Sequence, residues 1–407
     1  MVSFIIRGGT LAMAVSNIRN QHLGLAGKCV CLLLALVLVG CTTLPPPNTV
    51  NITVKPSPPV AKPIKTVPKS LSGLALVNSL LPPKLEDRNG WAADIFAAFE
   101  AIKIVPLREN ICAVVAEIEQ ESSFQTDPPV PGLSRIVRHE LDKRREKYHI
   151  PLWLMNSRLN LRSPGGSTYN ERIDTLKTEN DVNVLYQDII AEIPFGKKLL
   201  ADYNPVHTGG PMQVSMTFAN TYVTTKPYPY TIKRTLRDEL FTRAGGVFFG
   251  VAYLLDYPAN YADMIFRFAD FNAGIYSSRN AAFQHALHSI TGITLQKDGD
   301  LLRYQDGAPD KDTPSQTMQA LLTISSQLQL APSEIFRDLL LEKSAAFEQT
   351  QLYLKLFALA PSMPKAYIPE IVLSSPKFTR KLTTVNYAKQ VDARYQRCLK
   401  NRDTPKN

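Results

Sequence analysis

Glu121 is the side chain best placed to do chemistry. It ends the run Arg108 to Glu121, where Ile111, Val114, Val115 and Ile118 recur at helical spacing and form one apolar stripe. At about 100° per residue, Glu121 falls only about 20° around such a helix from Val114, at the edge of the stripe. Glu117 falls farther out and Glu119 leans off the other side, so Glu121 is the carboxyl expected to be half-buried. The Pro128-Pro129 break soon follows, which puts Glu121 in the last turn, where a helix C-terminus carries partial negative charge. Desolvation and that dipole both disfavour the carboxylate and raise its pKa. A carboxyl still protonated near neutral pH is what a general acid for glycoside cleavage requires. On this helix alone, an exposed glutamate at a helix end is the simpler reading.

Two later segments change the balance. Gly209-Gly210-Pro211-Met212-Gln213-Val214 is a glycine turn leading into Met-Gln before another helical run. Ala269-Asp270-Phe271-Asn272-Ala273-Gly274 closes a helix on Asn-Ala-Gly. Together with Glu121-Ser122-Ser123-Phe124, these resemble, in order, the three signature motifs of soluble lytic transglycosylases and goose-type lysozymes. That family's pattern is Glu-Ser-x-Phe, Gly-Leu-Met-Gln and Tyr-Asn-Ala-Gly. The resemblance covers roughly residues 90–290, and within them the motif positions carry it. Two departures stand out: Pro211 replaces the usual Leu, and Phe271 replaces a Tyr whose hydroxyl in relatives can hydrogen-bond near the catalytic carboxyl.

The resemblance implies a peptidoglycan lytic transglycosylase with one catalytic carboxyl and no cofactor or metal. Glu121 would protonate the glycosidic oxygen leaving N-acetylmuramic acid, then deprotonate the muramyl 6-hydroxyl to close an anhydro ring. Ser122, Met212, Gln213, Phe271, Asn272 and Ala273 would line the substrate cleft. Two other readings stay open. A hydrolytic muramidase on the same fold needs a second acid, for which Asp127 and Asp270 are candidates. A non-catalytic wall-binding protein would keep the groove without turnover.

These residues sit in a body that the patterning predicts to be mainly α, a lysozyme-like helical domain. Residues 84–300 are expected to form that domain, with a polar insertion at about 127–206 broken by Pro128, Pro129, Pro131, Pro164, Gly165 and Gly166. A helical extension is expected over 301–407. Ahead of them, residues 1–40 have no acidic residue and an apolar run from Val30 to Val39, which suits a signal peptide. Leu38-Val39-Gly40-Cys41 resembles a bacterial lipobox, implying acylation of Cys41. Residues 41–83 then read as a proline-punctuated tether. Thr42 after the cysteine favours delivery to the outer membrane, anchored in its inner leaflet and facing the periplasm. Translation could begin at Met13.

Formal charge is +10 with a sequence pI near 9.2. Removing Arg7, Arg19 and Lys28 with the signal leaves 10 − 3 = +7. Such a balance suits an anionic polymer, and for an exported protein peptidoglycan is a better partner than nucleic acid. The chain is expected to act as a monomer. Cys112 and Cys398 would remain in an oxidising compartment, either bridged across the chain or as two buried thiols. The six histidines make no convincing metal set; His285 and His288 share a helix face without an acidic or thiolate partner.

Overall fold

The computed structural model describes residues 72–305, 308–310, 313–373 and 382–400, and they form a mainly helical body. The expected signal, the lipobox with Cys41 and most of the tether lie outside the described residues. The first helix, α1 (Gly73–Leu80), begins where proline stops: none occurs between Pro68 and Pro82. The Ser72 side chain caps it by accepting from the Ala75 N–H, and Val77, Leu80 and Leu81 are buried. A tether ending near residue 83 is therefore too long, because residues 72–81 already belong to the core.

After α2 (Arg88–Ile102) comes α3 (Arg108–Glu121), in which Ile111 to Ile118, Gln120 and Glu121 are all buried. A stripe alone predicts one buried face; α3 is instead covered all round, as a central helix must be. The insertion holds α4 (Leu133–Lys147), α5 (Leu152–Leu159), α6 (Tyr169–Asp174), α7 (Glu179–Ala191) and α8 (Gly196–Leu200). Capping boxes at Thr168–Glu171 and Thr178–Asp181 start α6 and α7. An isolated antiparallel bridge joins Pro129 to Thr178, so the start of α7 lies against the segment that leaves α3.

The strands β1 (Thr208–Gly209) and β2 (Val214–Ser215) form a short hairpin. It is followed by α9 (Met216–Thr225), α10 (Leu236–Leu240), α11 (Arg243–Leu255) and α12 (Ile265–Ala273). Next, α13 (Ser277–Thr291) opens a second hydrophobic core with Phe283 and Leu287. The hairpin β3 (Tyr304–Gln305) and β4 (Ala308–Pro309) and helices α14 (Gln316–Thr323), α15 (Ser325–Leu328), α16 (Pro332–Leu339) and α17 (Gln351–Leu359) complete it. The buried Arg279 lashes this core together: its guanidinium donates to the Glu342 and Ser344 carbonyls and lies over the Tyr276 and Phe347 rings.

Paired strands β5 (Val372–Leu373) and β6 (Leu382–Thr383) lead into α18 (Thr384–Lys400). That helix does not belong with the second core. Its Tyr387, Ala388, Val391, Tyr395 and Cys398 are buried in the first, against α3 and α12. A division at residue 300 thus separates two parts of one structure: the second core starts at Phe283, and the last helix returns to the first.

Antiparallel packing of α18 on α3 is fixed at three levels. Cys112 is disulfide-bonded to Cys398, with Cα atoms 5.5 Å apart and a sequence separation of 286. Glu119 pairs with Arg397 at 2.8 Å and with Arg394 at 3.7 Å. Tyr387 reaches Glu117 and Glu121. A bridge across so long a loop contributes about 2–4 kcal/mol by restricting the unfolded chain.

Candidate active site

The chain reverses directly after Glu121. Ser122 closes α3 with its hydroxyl donating to the Ile118 carbonyl at 3.1 Å, and Ser123 and Phe124 follow at left-handed φ of 50° and 62°. Two such residues in succession carry strain that packing must hold. Phe124 supplies it, edge-on to Trp91 at 5.3 Å. Glu121 is thereby the last helical residue, aimed at the side of α18.

There the Tyr387 hydroxyl meets two acids. It lies 2.7 Å from Glu117 Oε2 and also hydrogen-bonds Glu121 Oε1. Burial pushes the Glu121 carboxyl up to about 7, with the Glu179 charge adding to it and the Tyr387 hydroxyl opposing it. Burial raises Glu117 well above the carboxylate range as well, with repulsion from Glu121 second. Burial also keeps Tyr387 protonated. A phenol has one proton and here lies between two buried carboxyls: the Tyr387 hydroxyl is shared, donating toward Glu117 Oε2 and toward Glu121 Oε1. Glu121, pushed up to about 7, is the carboxyl able to change state near neutral pH.

Sequence patterning expected Glu121 to be the one buried carboxyl here and Glu117 to lie farther out. The structure corrects this: Glu117 is fully buried because α18 covers the far side of α3. Glu179, the first residue of α7, is a second acid missed in the sequence; it is buried and acts electrostatically on Glu121.

One turn before Tyr387, the Thr384 hydroxyl donates to Asn272 Oδ1 at 2.9 Å. Glu121 and Asn272 are thus held by the same end of α18. The Asn272 amide nitrogen is buried and has no hydrogen-bond partner among the described residues. It is a donor left available at the site. Phe271 beside it is half-buried against Tyr253, ring centroids 5.2 Å apart, and Ala273 is also partly exposed.

Gln213 and Met212 belong to the β1–β2 turn, which lies on α11. A Cβ at Gly250 would meet Met212 Sδ at 2.1 Å and one at Gly246 would meet Pro211 at 2.4 Å, so these two glycines make the seat for the turn. Met212 is fully buried there, which makes it a packing residue and not a substrate contact. Gln213, at φ 51°, uses its amide within the turn: Nε2 donates to the Gly210 carbonyl at 3.1 Å, and Oε1 accepts from Thr208. Its hydrogen bonds shape the hairpin and do not join it to Glu121 or Asn272.

The two acids considered for water activation are differently employed. Asp270 is buried and accepts from the Tyr257 and Tyr261 hydroxyls and the Tyr276 and Ser278 N–H groups, a bracket between α12 and α13. Asp127 is tied to Thr178 and Asn180 at the start of α7. A polar cavity of about 440 Å³ lies elsewhere, in the C-terminal part, lined by Gln284, Asp298, Asp300, Arg303, Tyr304 and Thr317 among others.

The family described as "Protein of unknown function (DUF1615)" matches residues 84–401, and the chain belongs to it. The chain is also 42% identical over 374 residues to the protein named "Uncharacterized protein YaiW" of Escherichia coli (strain K12), covering 91% of this chain and 97% of that one. No solved structure matches.

Proposed function

We propose that this protein is a peptidoglycan lytic transglycosylase, lipid-anchored through Cys41 to the inner leaflet of the outer membrane, with Glu121 as its single acid/base. The observation that carries the reading is the hydrogen bond from Tyr387 to a buried Glu121 whose pKa is raised to about 7. The resembled family has a tyrosine at position 271, where this chain has Phe; here α18 brings a hydroxyl to the carboxyl from elsewhere in the chain.

In the proposed reaction, Glu121 gives its proton to the glycosidic oxygen as the bond to the muramyl C1 breaks. The substrate acetamido oxygen stabilises the positive charge developing at C1. Glu121, now a carboxylate receiving the Tyr387 hydrogen bond, takes the proton of the muramyl 6-hydroxyl as that oxygen bonds C1. Atoms balance without water, and one acid returns to its starting state. Asn272, with its amide donor available, is suited to hold a sugar acetamide or hydroxyl. Glu121 is only 2% exposed, so opening of the groove over it is part of the proposed cycle.

One observation favours a second outcome on the same site. Glu179 acts on Glu121 from the insertion, and an acid in that position could direct water in place of the 6-hydroxyl. Digestion of purified sacculi, with products read by mass spectrometry, separates the cases. Anhydromuramyl ends released by wild type and lost in Glu121→Gln support the transglycosylase. Reducing ends point to hydrolysis. Release of no muropeptides by wild type would sink both and leave a wall-binding protein.

A further inference from the structure

The insertion presents apolar side chains that nothing described in the chain covers. Helix α5 buries none of its residues: Leu152, Trp153 and Leu154 face outward, with Trp153 71% exposed. A second exposed stretch follows α7. Phe195 caps α8 at a left-handed φ of 59° and is 79% exposed, and Leu199 is 64% exposed. Tyr186 draws the two stretches together. Its hydroxyl donates to the Leu200 carbonyl at 2.7 Å. Burial raises its pKa, with Arg144 lowering it and Tyr203 raising it, so both side chains are its neighbours. Arg144 belongs to the last turn of α4, which runs through the exposed Tyr148 and Ile150 into α5. Contiguous apolar surface left in water is disfavoured by roughly 25 cal/mol per Å², and where it persists it marks a contact surface.

Charge selects the occupant. From Glu140 to Arg162 there are six cations, Lys143, Arg144, Arg145, Lys147, Arg158 and Arg162, against three acids, Glu140, Asp142 and Glu146, which pair with Arg144 and Arg145 and leave the segment net positive. Lys197 and Lys198 stand between Phe195 and Leu199 and are exposed. A second copy of this chain would set these cations against their own kind. An anionic phospholipid surface matches both features, with phosphates for the cations and acyl chains for the aromatic and aliphatic groups. Among the described residues no helix is long and apolar enough to cross a membrane, so the contact is with the surface.

We propose that the face made by residues 148–154 and 195–203 docks on an anionic phospholipid bilayer, with Trp153 and Phe195 inserted at the headgroup level. The inference is independent of the proposed reaction and requires no acyl anchor.

The test uses the full chain carrying Cys41→Ser, mixed with vesicles of phosphatidylglycerol and phosphatidylethanolamine or of phosphatidylcholine alone. Trp91 is buried, so a shift in tryptophan emission reports Trp153. Co-sedimentation with the anionic vesicles, a blue-shifted emission and loss of binding at high salt are expected. Adding Trp153→Ser with Phe195→Ser weakens co-sedimentation by about tenfold or more; an unchanged far-UV circular dichroism spectrum and melting temperature show that the fold is retained. Lys197→Gln with Lys198→Gln weakens binding on the order of tenfold. The N-terminal segment is common to all variants and cancels in the comparison. The proposal is overturned if the Trp153/Phe195 variant binds vesicles as its parent does. It is also overturned if the patch instead drives concentration-dependent self-association without a vesicle-induced emission shift.

Discussion

Glu121 and Glu342 are both pushed up to about 7 by burial, and each takes a hydrogen bond from a tyrosine, Tyr387 and Tyr304. Around them the chemistry diverges. Glu342 Oε1 accepts from Tyr304 at 2.5 Å and Oε2 accepts from the Leu301 N–H, while its backbone carbonyl receives Arg279 and Asn280. Every acceptor it has is engaged in fastening α13 to the loops on either side. Glu121 instead shares its tyrosine with a second acid, Glu117, through a hydroxyl that has one proton for two carboxyls. Burial and a raised pKa are therefore common to a fastener and to the proposed proton donor. What would distinguish the donor is a proton that has somewhere to go.

The largest effect that could break this contrast is on activity. Glu121→Gln keeps the shape and removes the transferable proton, which should cost about two to four orders of magnitude in muropeptide release. Glu342→Gln should leave the rate within a few-fold and lower the melting temperature instead. Equal losses of rate in the two variants, measured on sacculi with folded protein, would erase the distinction.

A smaller effect sharpens it. Tyr387→Phe removes the donor that favours ionised Glu121, so the alkaline limb of the pH–rate profile should move upward by about one unit. A merely structural tyrosine would lower the rate without moving that limb. Tyr304→Phe, the matching change at Glu342, should leave the profile where it is.

The smallest effect is on stability. Burial raises Glu121 and Glu342 to about 7 and Asp270 to about 6, so each binds its proton more tightly in the folded chain than in the unfolded one. Their contribution is full below about pH 4 and is lost as pH rises to about 7. The melting temperature should fall between pH 5 and 8, and Glu342→Gln should flatten part of that slope. A melting temperature that rose with pH over this window in both proteins would contradict the assignments.

The helical class, the placement of Glu121 at a helix end and the turn at Gly210 were readable from local pattern, because each depends on residues within a turn or two. The partners of Glu121 were not. Tyr387 lies 266 residues away, and helical spacing says which residues share a face but not which helix covers it. Glu117 was misplaced for the same reason: its position off the stripe is exposed only if nothing packs there. One signal did exist. If Cys112 and Cys398 pair and their helices run antiparallel, nine residues up α3 and eleven residues down α18 travel about 14 and 17 Å, which sets Glu121 beside Tyr387. Leaving the pairing open left the tyrosine unseen. Met212 was misjudged because a motif position does not say whether a side chain faces the groove or the seat beneath the turn.

The antiparallel seam between α3 and α18 has a consequence for the order in which the protein is made. Synthesis runs from the N-terminus, so α3 emerges early and waits for more than 260 residues before Tyr387 exists to cover it. Until then Glu117 and Glu121 face solvent, where two neighbouring carboxyls ionise in the ordinary way. The raised pKa is thus acquired only with the final helix. A chain cut short between residues 275 and 386 would carry the whole motif set through Gly274 and still lack the helix that covers Glu121. In the proposed reaction, completion of the polypeptide is itself the step that arms the acid.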